Sequence, residues 1–554
     1  MAFPFFPRSG SSSSSRRDNE ANRFGSSRFA TYQDLHRAEL FEQRPESFFV
    51  GYFEGREVWF HGPAGQIIVA GARAGKMRDV ICRNLLSGTC KHTLMMLDPK
   101  GEGAYLSQDQ TADGKFCAYW NPVGLHGLPQ DRVNPLDYMR IDSPTLVSDT
   151  KVLWGELAPS RAGSKDDFYP PRCREYGEAL SLVIAEIMEV VTWPALYDAV
   201  NALIAGGDDW LELAYQMSQS RFPKVRQIEA EIATARADST GGFRGILGEL
   251  SKSVACLSDP VLMDSVSPPY TMSLADLVDD NQARENQAWQ FYLCPPAEYL
   301  QAWSPVLKTF FVGATLYKSR APAARRITFI LDECGQLGGD SGGFPLVPRL
   351  FTYGAGIGIQ PIAVFQTEDQ MDNLGLNAKA QIKSSAAGKL MFALRDWGSA
   401  KSCADMCGSQ TLVYDDRLAQ ERATHARNTA LHSVINGGDP LRAALEISHQ
   451  SFATEHQTKQ HRQLQTVDEV MNAPVDMAYF FHEDVPYPIP LTRRPYWEVR
   501  GLTYHPNPYH PPLDSVQVQT FWGKRTRRVI TAPVPERYAH YPQYKGGFWS
   551  QVER

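Results

Sequence analysis

Nothing in this 554-residue sequence offers a bilayer crossing, an export leader, a metal knuckle or an overall positive charge. The longest apolar stretch, Ala179 to Trp193, is broken by Glu186 and Glu189 and falls short of the ~20 residues a transmembrane helix needs, so none is expected. The opening MAFPFFPRSGSSSSSRR has no basic-then-apolar leader with a small-residue cleavage site, and it reads as a polar tail rather than a secretory signal. Lys and Arg number 56 against 62 Asp and Glu, a formal net charge of −6, so any contact with nucleic acid has to be local. The nine cysteines are scattered, and the tightest pair, Cys403 and Cys407, has the spacing of one helical turn rather than of a zinc knuckle. They read as reduced thiols, mostly in the core. No internal repeat is evident, and 43% hydrophobic with 21% charged residues is ordinary globular usage.

What is present is a change of texture along the chain. Residues 1–46 are rich in Ser, Arg and Asn, with a short helix expected near Tyr32 to Phe41. Beyond them, short unbroken apolar runs recur between Gly, Pro and Asp: Gln66–Ala70, Thr93–Asp98, Phe116–Tyr119, Trp289–Cys294, Ile327–Asp332, Pro361–Gln366 and Lys389–Leu394. Runs of that length without alternation suit strands buried on both faces of a parallel sheet. Between 143 and 285 the apolar spacing becomes helical, in Glu178–Val191, Trp193–Ala205, Trp210–Gln219 and Val225–Ala235, which reads as an all-α insertion into an α/β unit. The expected division is a flexible tail at 1–46, a nucleotide-binding α/β domain at 47–142 and 286–435, an all-α domain at 143–285 and a Pro- and Tyr-rich extension at 436–554. Proline density from Val475 onward predicts an extended tail wrapping a surface rather than regular elements.

The first of these runs leads into Ala70-Gly71-Ala72-Arg73-Ala74-Gly75-Lys76-Met77, followed by a helical pattern from Asp79 to Leu86. A Gly-rich turn between strand and helix lets backbone N–H groups converge on phosphate at the positive end of the helix. Lys76 would neutralise the β- and γ-phosphates of ATP, and Gly71, Arg73, Ala74, Gly75, Lys76 and Met77 are the candidate nucleotide-binding residues. The P-loop pattern is only partly met. Ala70 stands for its first Gly, and Met77 stands where a hydroxyl ordinarily binds Mg2+, a hard cation for which a thioether is a poor ligand. Taken alone, the turn reads equally as a plain strand-to-helix connection with a solvated lysine.

The run Ile327–Leu331 ends in Asp332-Glu333, an apolar strand delivering two acids. In P-loop ATPases the first such acid holds Mg2+ and the second polarises the attacking water, which makes Asp332 the candidate metal ligand and Glu333 the candidate catalytic base. An Asp helix cap after a strand is the plain alternative. Gln366, ending the run from Pro361, is the candidate sensor of the γ-phosphate or of the water, against the simpler reading of a polar strand end. Arg349 and Arg395 are candidates for reaching phosphate across a subunit interface.

Taken together these residues resemble the conjugative coupling proteins of type IV secretion systems, the TraG/TraD family. The resemblance rests on GARAGK (Gly71–Lys76), LDPKGE (Leu97–Glu102), LDECGQLG (Leu331–Gly338) and YGAGIGIQPIAVFQTEDQM (Tyr353–Met371). Asn134–Leu136 and Cys407–Thr411 fall where the family has similar segments, so that it spans about residues 50–425. The resemblance implies an α/β fold, a RecA-like P-loop NTPase with a central mostly parallel sheet and an inserted all-α domain, assembling as a ring-shaped homo-hexamer. It implies ATP and Mg2+ as cofactors, with Lys76 on phosphate, Asp332 on magnesium, Glu333 on water and Gln366 sensing nucleotide state. The implied partners are single-stranded DNA with a relaxase or an effector protein, and secretion-channel components, on the cytoplasmic side of the inner membrane. Typical members begin with transmembrane helices, so attachment of this chain to a membrane would run through partners. Met77 replaces the family's Ser, Thr or Gly with a bulky side chain expected to crowd the metal.

The basic clusters Arg16-Arg17, Arg325-Arg326, Arg493-Arg494 and Lys524–Arg528 are candidate nucleic-acid contacts, the last with Phe521, Trp522 and Tyr538 nearby; surface solubility is the plainer reading. His425, His432, His449, His456 and His461 lack neighbouring carboxylate or thiolate ligands and read as solvated residues. Two functions compete: a hexameric, DNA-stimulated ATPase driving substrate transfer, and a scaffold of the same fold whose eroded phosphate loop recruits cargo without hydrolysis. A repair helicase would need helicase motifs, and none is found.

Overall fold

The computed structural model describes residues 25–45, 47–86, 92–108, 115–159, 168–236, 242–279, 288–338, 342–414, 417–435, 439–442, 444–445 and 458–553. Arg16-Arg17, His449, His456 and most of the expected N-terminal tail lie outside them. The chain forms two compact units, the larger comprising Thr31–Ser399 with Ala473–Arg554 and the smaller Ala400–Asn472 with the residues up to Ala30.

In chain order the strands are β1 Phe48–Phe53, β2 Arg56–Phe60, β3 Gln66–Ala70, β4 Thr93–Leu97, β5 Phe116–Trp120, β6 Trp289–Leu293, β7 Ile327–Leu331, β8 Ile359–Phe365, β9 Gly388–Phe392, β10 Ser409–Tyr414, β11 Thr458–Gln463, β12 Met477–His482, β13 Val485–Thr492, β14 Ser515–Thr520, β15 Gly523–Pro533 and β16 Phe548–Val552. An eleven-stranded sheet in the order β2-β1-β13-β12-β9-β3-β8-β7-β4-β6-β5 organises the larger unit. Its body, β9 through β5, is parallel at every pairing. These strands, β3 to β9 in sequence, are the unbroken apolar runs, and nearly every residue in them is buried. Each Val, Leu or Ile so buried contributes about 1.5–3 kcal/mol, which is why continuous apolar sequence settles in strands covered on both faces rather than at a wet edge.

From Leu146 to Ser265 the described elements are helical, among them Tyr169–Met188, Trp193–Ala205, Asp208–Gln219 and Pro223–Arg236. The start of Trp193–Ala205 is set by Thr192, whose side chain accepts the Ala195 N–H, with Pro194 in the first turn where its missing donor costs nothing. Among the described residues no helix is long and apolar enough to cross a membrane.

The expectation of an irregular tail after Val475 is corrected. β12 and β13 form a hairpin that joins the central sheet, β12 lying antiparallel to β9. Pro486, Pro488 and Pro490 alternate along β13, so their missing donors fall on one side of the strand, and β13 meets β1 at a single residue pair, Tyr52 with Thr492. Proline is tolerated where a ladder is already interrupted. Further on, β14, β15 and β16 make a separate three-stranded antiparallel sheet. In the smaller unit β10 and β11 pair antiparallel.

Candidate functional site

Residues just beyond the C-terminal ends of parallel strands share one edge of a sheet, and ligands of open α/β folds bind there. Here the registers Val69 with Phe365, Leu331 with Ala363 and Leu97 with Leu331 bring the ends of β3, β8, β7 and β4 side by side. The phosphate-loop candidate, Asp332-Glu333, Gln366 and Asp98 therefore converge from segments far apart in sequence.

From Ala70 the chain turns through Gly71–Gly75 into a π-helical turn, Lys76–Ile81, continued as an α-helix over Cys82–Leu86. The Ala74 N–H donates to the Gly71 carbonyl at 3.2 Å, and the Asp79 N–H to that of Gly75 at 2.8 Å. Gly75 sits at φ +90°, where a Cβ would come within 2.6 Å of Asp79 Oδ2, so glycine is required there on both counts. Arg73 is exposed and also left-handed, at φ 59°. Wide turns of this kind gather at functional sites because they re-aim side chains.

Lys76 Nζ stands 3.6 Å from Glu333 Oε1, the two side chains being only 11% and 18% exposed. That ion pair is too long for a hydrogen bond, and Lys76 Nζ has no hydrogen-bond partner although it is buried; the same holds for Asp332 Oδ1. A buried charge left unsatisfied costs several kcal/mol, so an orphaned ammonium beside an orphaned carboxylate oxygen fits a triphosphate and a hard cation. Gln366 Nε2 donates to both oxygens of Glu333 at 2.9 Å, and its own backbone N–H is held by Gln370 Oε1 at 2.7 Å. Glu333 takes φ 54°, a conformation costing about 1–3 kcal/mol in a non-glycine residue and typical of sites where geometry outranks stability.

Burial pushes the Asp332 carboxyl up to about 6; the Lys76 charge opposes the rise and the Glu333 carboxylate adds to it. Its neighbour across the sheet, Asp98, is pushed up to about 7 by burial, while the Ala104 N–H, donating to its Oδ2 at 2.8 Å, pulls the other way. Asp98 Oδ1 is buried without a partner. Asp98 falls within LDPKGE, but nothing in the sequence alone marked it for this cavity; the signal available was another apolar strand ending in an acid, as at Asp332.

Met77 does not play the part expected of it. It packs against a hydrophobic cluster of Cys82, Leu86, Leu106, Tyr496, Leu502, Tyr504, Val516 and Val552, most of them from the C-terminal segment. A thioether gains more from that apolar surface than from a hard cation, and the expected crowding of the metal is corrected accordingly.

A second residue missed by sequence reasoning is Arg493, read there as half of a surface cluster. It is buried: its Nη1 donates to the Ala74 carbonyl at 2.9 Å and to Asp79 Oδ2 at 2.6 Å, and its guanidinium lies 3.8 Å over the Phe392 ring. Burial lowers its pKa to about 10, partly offset by Asp79, so it stays charged at neutral pH. Arg494 stacks over Tyr52 at 4.8 Å. Of the candidate interface arginines, Arg349 pairs within its own chain with the buried Glu156 while remaining half exposed. Arg395 is exposed and flanks the loop of its own chain, its Cγ 3.8 Å from where a Gly71 Cβ would stand.

A sequence model of the family described as Type IV secretory system conjugative DNA transfer matches residues 19–434. No curated protein matches the chain significantly. Solved structures similar to it include the bacterial conjugative coupling protein TrwBdeltaN70 in complex with sulphate, at TM-score 0.52 and 15% identity, covering 84% of this chain and 93% of that one. TrwB in complex with the non-hydrolysable ATP analogue ADPNP superposes at 0.54 with 12% identity over 84% and 93%. TrwB with ADP and Mg2+ gives 0.52 with 14% identity over 84% and 94%. At such identities the likeness establishes the fold alone, a mixed α/β fold built on a large, mostly parallel central sheet. The family match, covering about three quarters of the residues, establishes the lineage: the chain belongs to the type IV secretory system conjugative DNA transfer family.

Proposed function

We propose that this chain is a coupling-protein ATPase that uses ATP and Mg2+ to move single-stranded DNA, with its relaxase or in place of it an effector protein, toward a type IV secretion channel. The observation that carries the reading is that Lys76 and Gln366, remote in sequence, both meet Glu333, at 3.6 Å and 2.9 Å, beside the orphaned Asp332 oxygen. In this reading Gly71, Arg73, Ala74 and Gly75 shape the loop whose N–H groups bind phosphate, and Lys76 neutralises its charge. Asp332 holds the cation. Glu333 takes the proton of the attacking water at a carboxylate oxygen, and Gln366, bonded to both of those oxygens, fixes the orientation of the base. Bound Mg2+ supplies Lewis-acid stabilisation of the phosphate charge. The structures of TrwB with ADPNP and with ADP and Mg2+ support this choice of cofactors.

The same proposal takes the division 47–142 with 286–435, 143–285 and 436–554 as domains, and a homo-hexamer at the inner membrane, held there by partner proteins, as the working assembly. Arg395, exposed beside the loop, is the better candidate to reach a neighbour, since Arg349 already has Glu156. The non-hydrolysing scaffold rested on Met77, and the apolar setting of that side chain removes its main support.

Steady-state ATP hydrolysis with and without single-stranded DNA, compared with Lys76→Ala and Glu333→Gln, tests the reading. Loss of roughly 10²–10⁴-fold in the Glu333 variant is expected of a general base. Background rates equal in all three proteins would overturn it.

A further inference from the structure

β14 and β15 form a hairpin joined by the two-residue turn Phe521-Trp522, closed by the pair Thr520 with Gly523. Thr520 Oγ1 accepts the Trp522 backbone N–H at 3.2 Å and donates to the Gly523 carbonyl at 2.7 Å, so the turn is pinned. Its two side chains stand in solvent, 73% and 81% exposed, a costly placement for adjacent large apolar groups. Between Ser515 and Pro533 the segment carries Lys524, Arg525, Arg527 and Arg528 and no acid, in a chain whose net charge is −6.

The register separates the two faces of this hairpin. Val516 and Val518, opposite Arg527 and Arg525, belong with Val529 to the covered face, packed with Tyr496 and Leu502. Lys524, Thr526 and Arg528 share the other face with Gln519, Gln517 and Ser515, where Gln517 Nε2 donates to Thr526 Oγ1 at 2.6 Å. The two cations on that face, Lys524 and Arg528, are four residues apart, about 13 Å along the strand, and so lie on a line leading away from the aromatic tip. Lys524 has a surface ion pair with Glu498 at 3.6 Å, worth ~1 kcal/mol at most; among the described residues Arg525, Arg527 and Arg528 are in none. At the tip, Arg500 lies 5.4 Å over Phe521, whose ring meets Trp522 nearly edge to face, at 5.1 Å and 82°. Phe521 is thereby a buttress, and Trp522 keeps an open face.

Resting on the DNA-transfer reading above, we propose that this hairpin is a docking site for single-stranded DNA, with Trp522 stacking on an unpaired base and Lys524 and Arg528, on one face of the hairpin, meeting phosphates that follow it. An exposed indole face recognises a base of any sequence, and only in an unpaired strand is that face free to stack. Two cations set at different distances from the tip match a linear polyanion, whereas a membrane-inserting tip calls for a basic belt at one depth.

The test is fluorescence anisotropy of a labelled oligothymidylate with the full chain across a salt series, beside a duplex of equal length and vesicles of phosphatidylcholine with phosphatidylserine. Trp522→Ala should weaken single-strand binding roughly tenfold with an unchanged salt slope. Replacing Lys524 and Arg528 together by Gln should flatten the slope by about 1.4. Neither variant should alter DNA-free ATP hydrolysis. Wild-type binding that both variants retain in full overturns the site while leaving the transfer reading intact. No binding of any DNA by an ATP-hydrolysing wild type overturns both. Loss of vesicle binding in Trp522→Ala with single-strand affinity unchanged overturns it in favour of a lipid surface.

Discussion

Arg493 Nη1 reaches Asp79 Oδ2 at 2.6 Å across 414 positions of sequence, and from there also holds the Ala74 carbonyl of the candidate phosphate loop at 2.9 Å. The end of β13 thus fixes the loop that opens from β3. Because Arg493 and Asp79 are 1% and 2% exposed in their side chains, neither has water to fall back on.

Arg493→Ala strips Asp79 of that partner and frees the loop carbonyl. Breaking a buried pair costs about 3–5 kcal/mol. The value here should fall at the low end, since Arg78 also bonds both oxygens of Asp79. The expected result is a lower Tm together with weakened binding of an ATP analogue, and Arg493→Met with Asp79→Leu should recover stability but not binding. An Arg493→Ala protein with undiminished nucleotide affinity would show that the clamp is only structural.

Met77→Ser restores the hydroxyl that the P-loop pattern asks for. Since Met77 is packed with Tyr496 and Leu502, the substitution should cost about 2 kcal/mol in chemical denaturation and bring no gain in ATP hydrolysis. A rise in kcat would mean that the side chain faces the metal after all.

The parallel body of the sheet was legible because burial on both faces leaves a mark that periodicity can read: each run from Gln66–Ala70 to Gly388–Phe392 is apolar without alternation. The acids ending β7 and the lysine after β3 were legible for the same reason, each terminating such a run. β12 and β13 were not, since alternating prolines in VPYPIPLT deny a strand by local rule, yet β13 pairs along β12 and meets β1 only at Thr492 with Tyr52. Arg493 was hidden by its neighbour: an Arg-Arg pair reads as surface charge, and only packing sends one member to Asp79 and the other over Tyr52. Met77 was misjudged because its environment is supplied from some 420 residues downstream, by Tyr496 and the residues after it.

Gln366→Ala removes both hydrogen bonds that orient Glu333. Binding of ATP should be retained, because Lys76 and the loop are untouched, while kcat falls by roughly 10–100-fold for a base no longer held in place. Gln366→Glu should be worse, as a second carboxylate would stand 2.9 Å from the first. Equal kcat in the Ala variant and wild type would remove Gln366 from the mechanism.

Asp332 sets two pH dependences of opposite sense. Its folded pKa of about 6 lies above the ordinary value of 3.8, so between these values the folded protein holds a proton that the unfolded chain has lost. Stability from this group is therefore present below 3.8, declines as pH rises through the window, and is lowest above about 6; Asp98, at about 7, extends the decline in the same direction. At about 1.4 kcal/mol per tenfold, an ionised Asp332 costs the nucleotide-free protein roughly 3 kcal/mol at neutral pH. Asp332→Asn should accordingly raise Tm at pH 7.5, with a gain that shrinks toward pH 4. Cation binding needs the ionised form, so Mg2+-dependent nucleotide binding by the wild type should weaken as pH falls below about 6 and should be absent in Asp332→Asn. A variant less stable than wild type at pH 7.5, or Mg2+-dependent binding that stays flat from pH 7.5 to 5, would take Asp332 out of the metal's reach. On the proposed reading the carboxylate is tolerated at that cost because only its charged form would hold a cation against phosphates bound at Lys76.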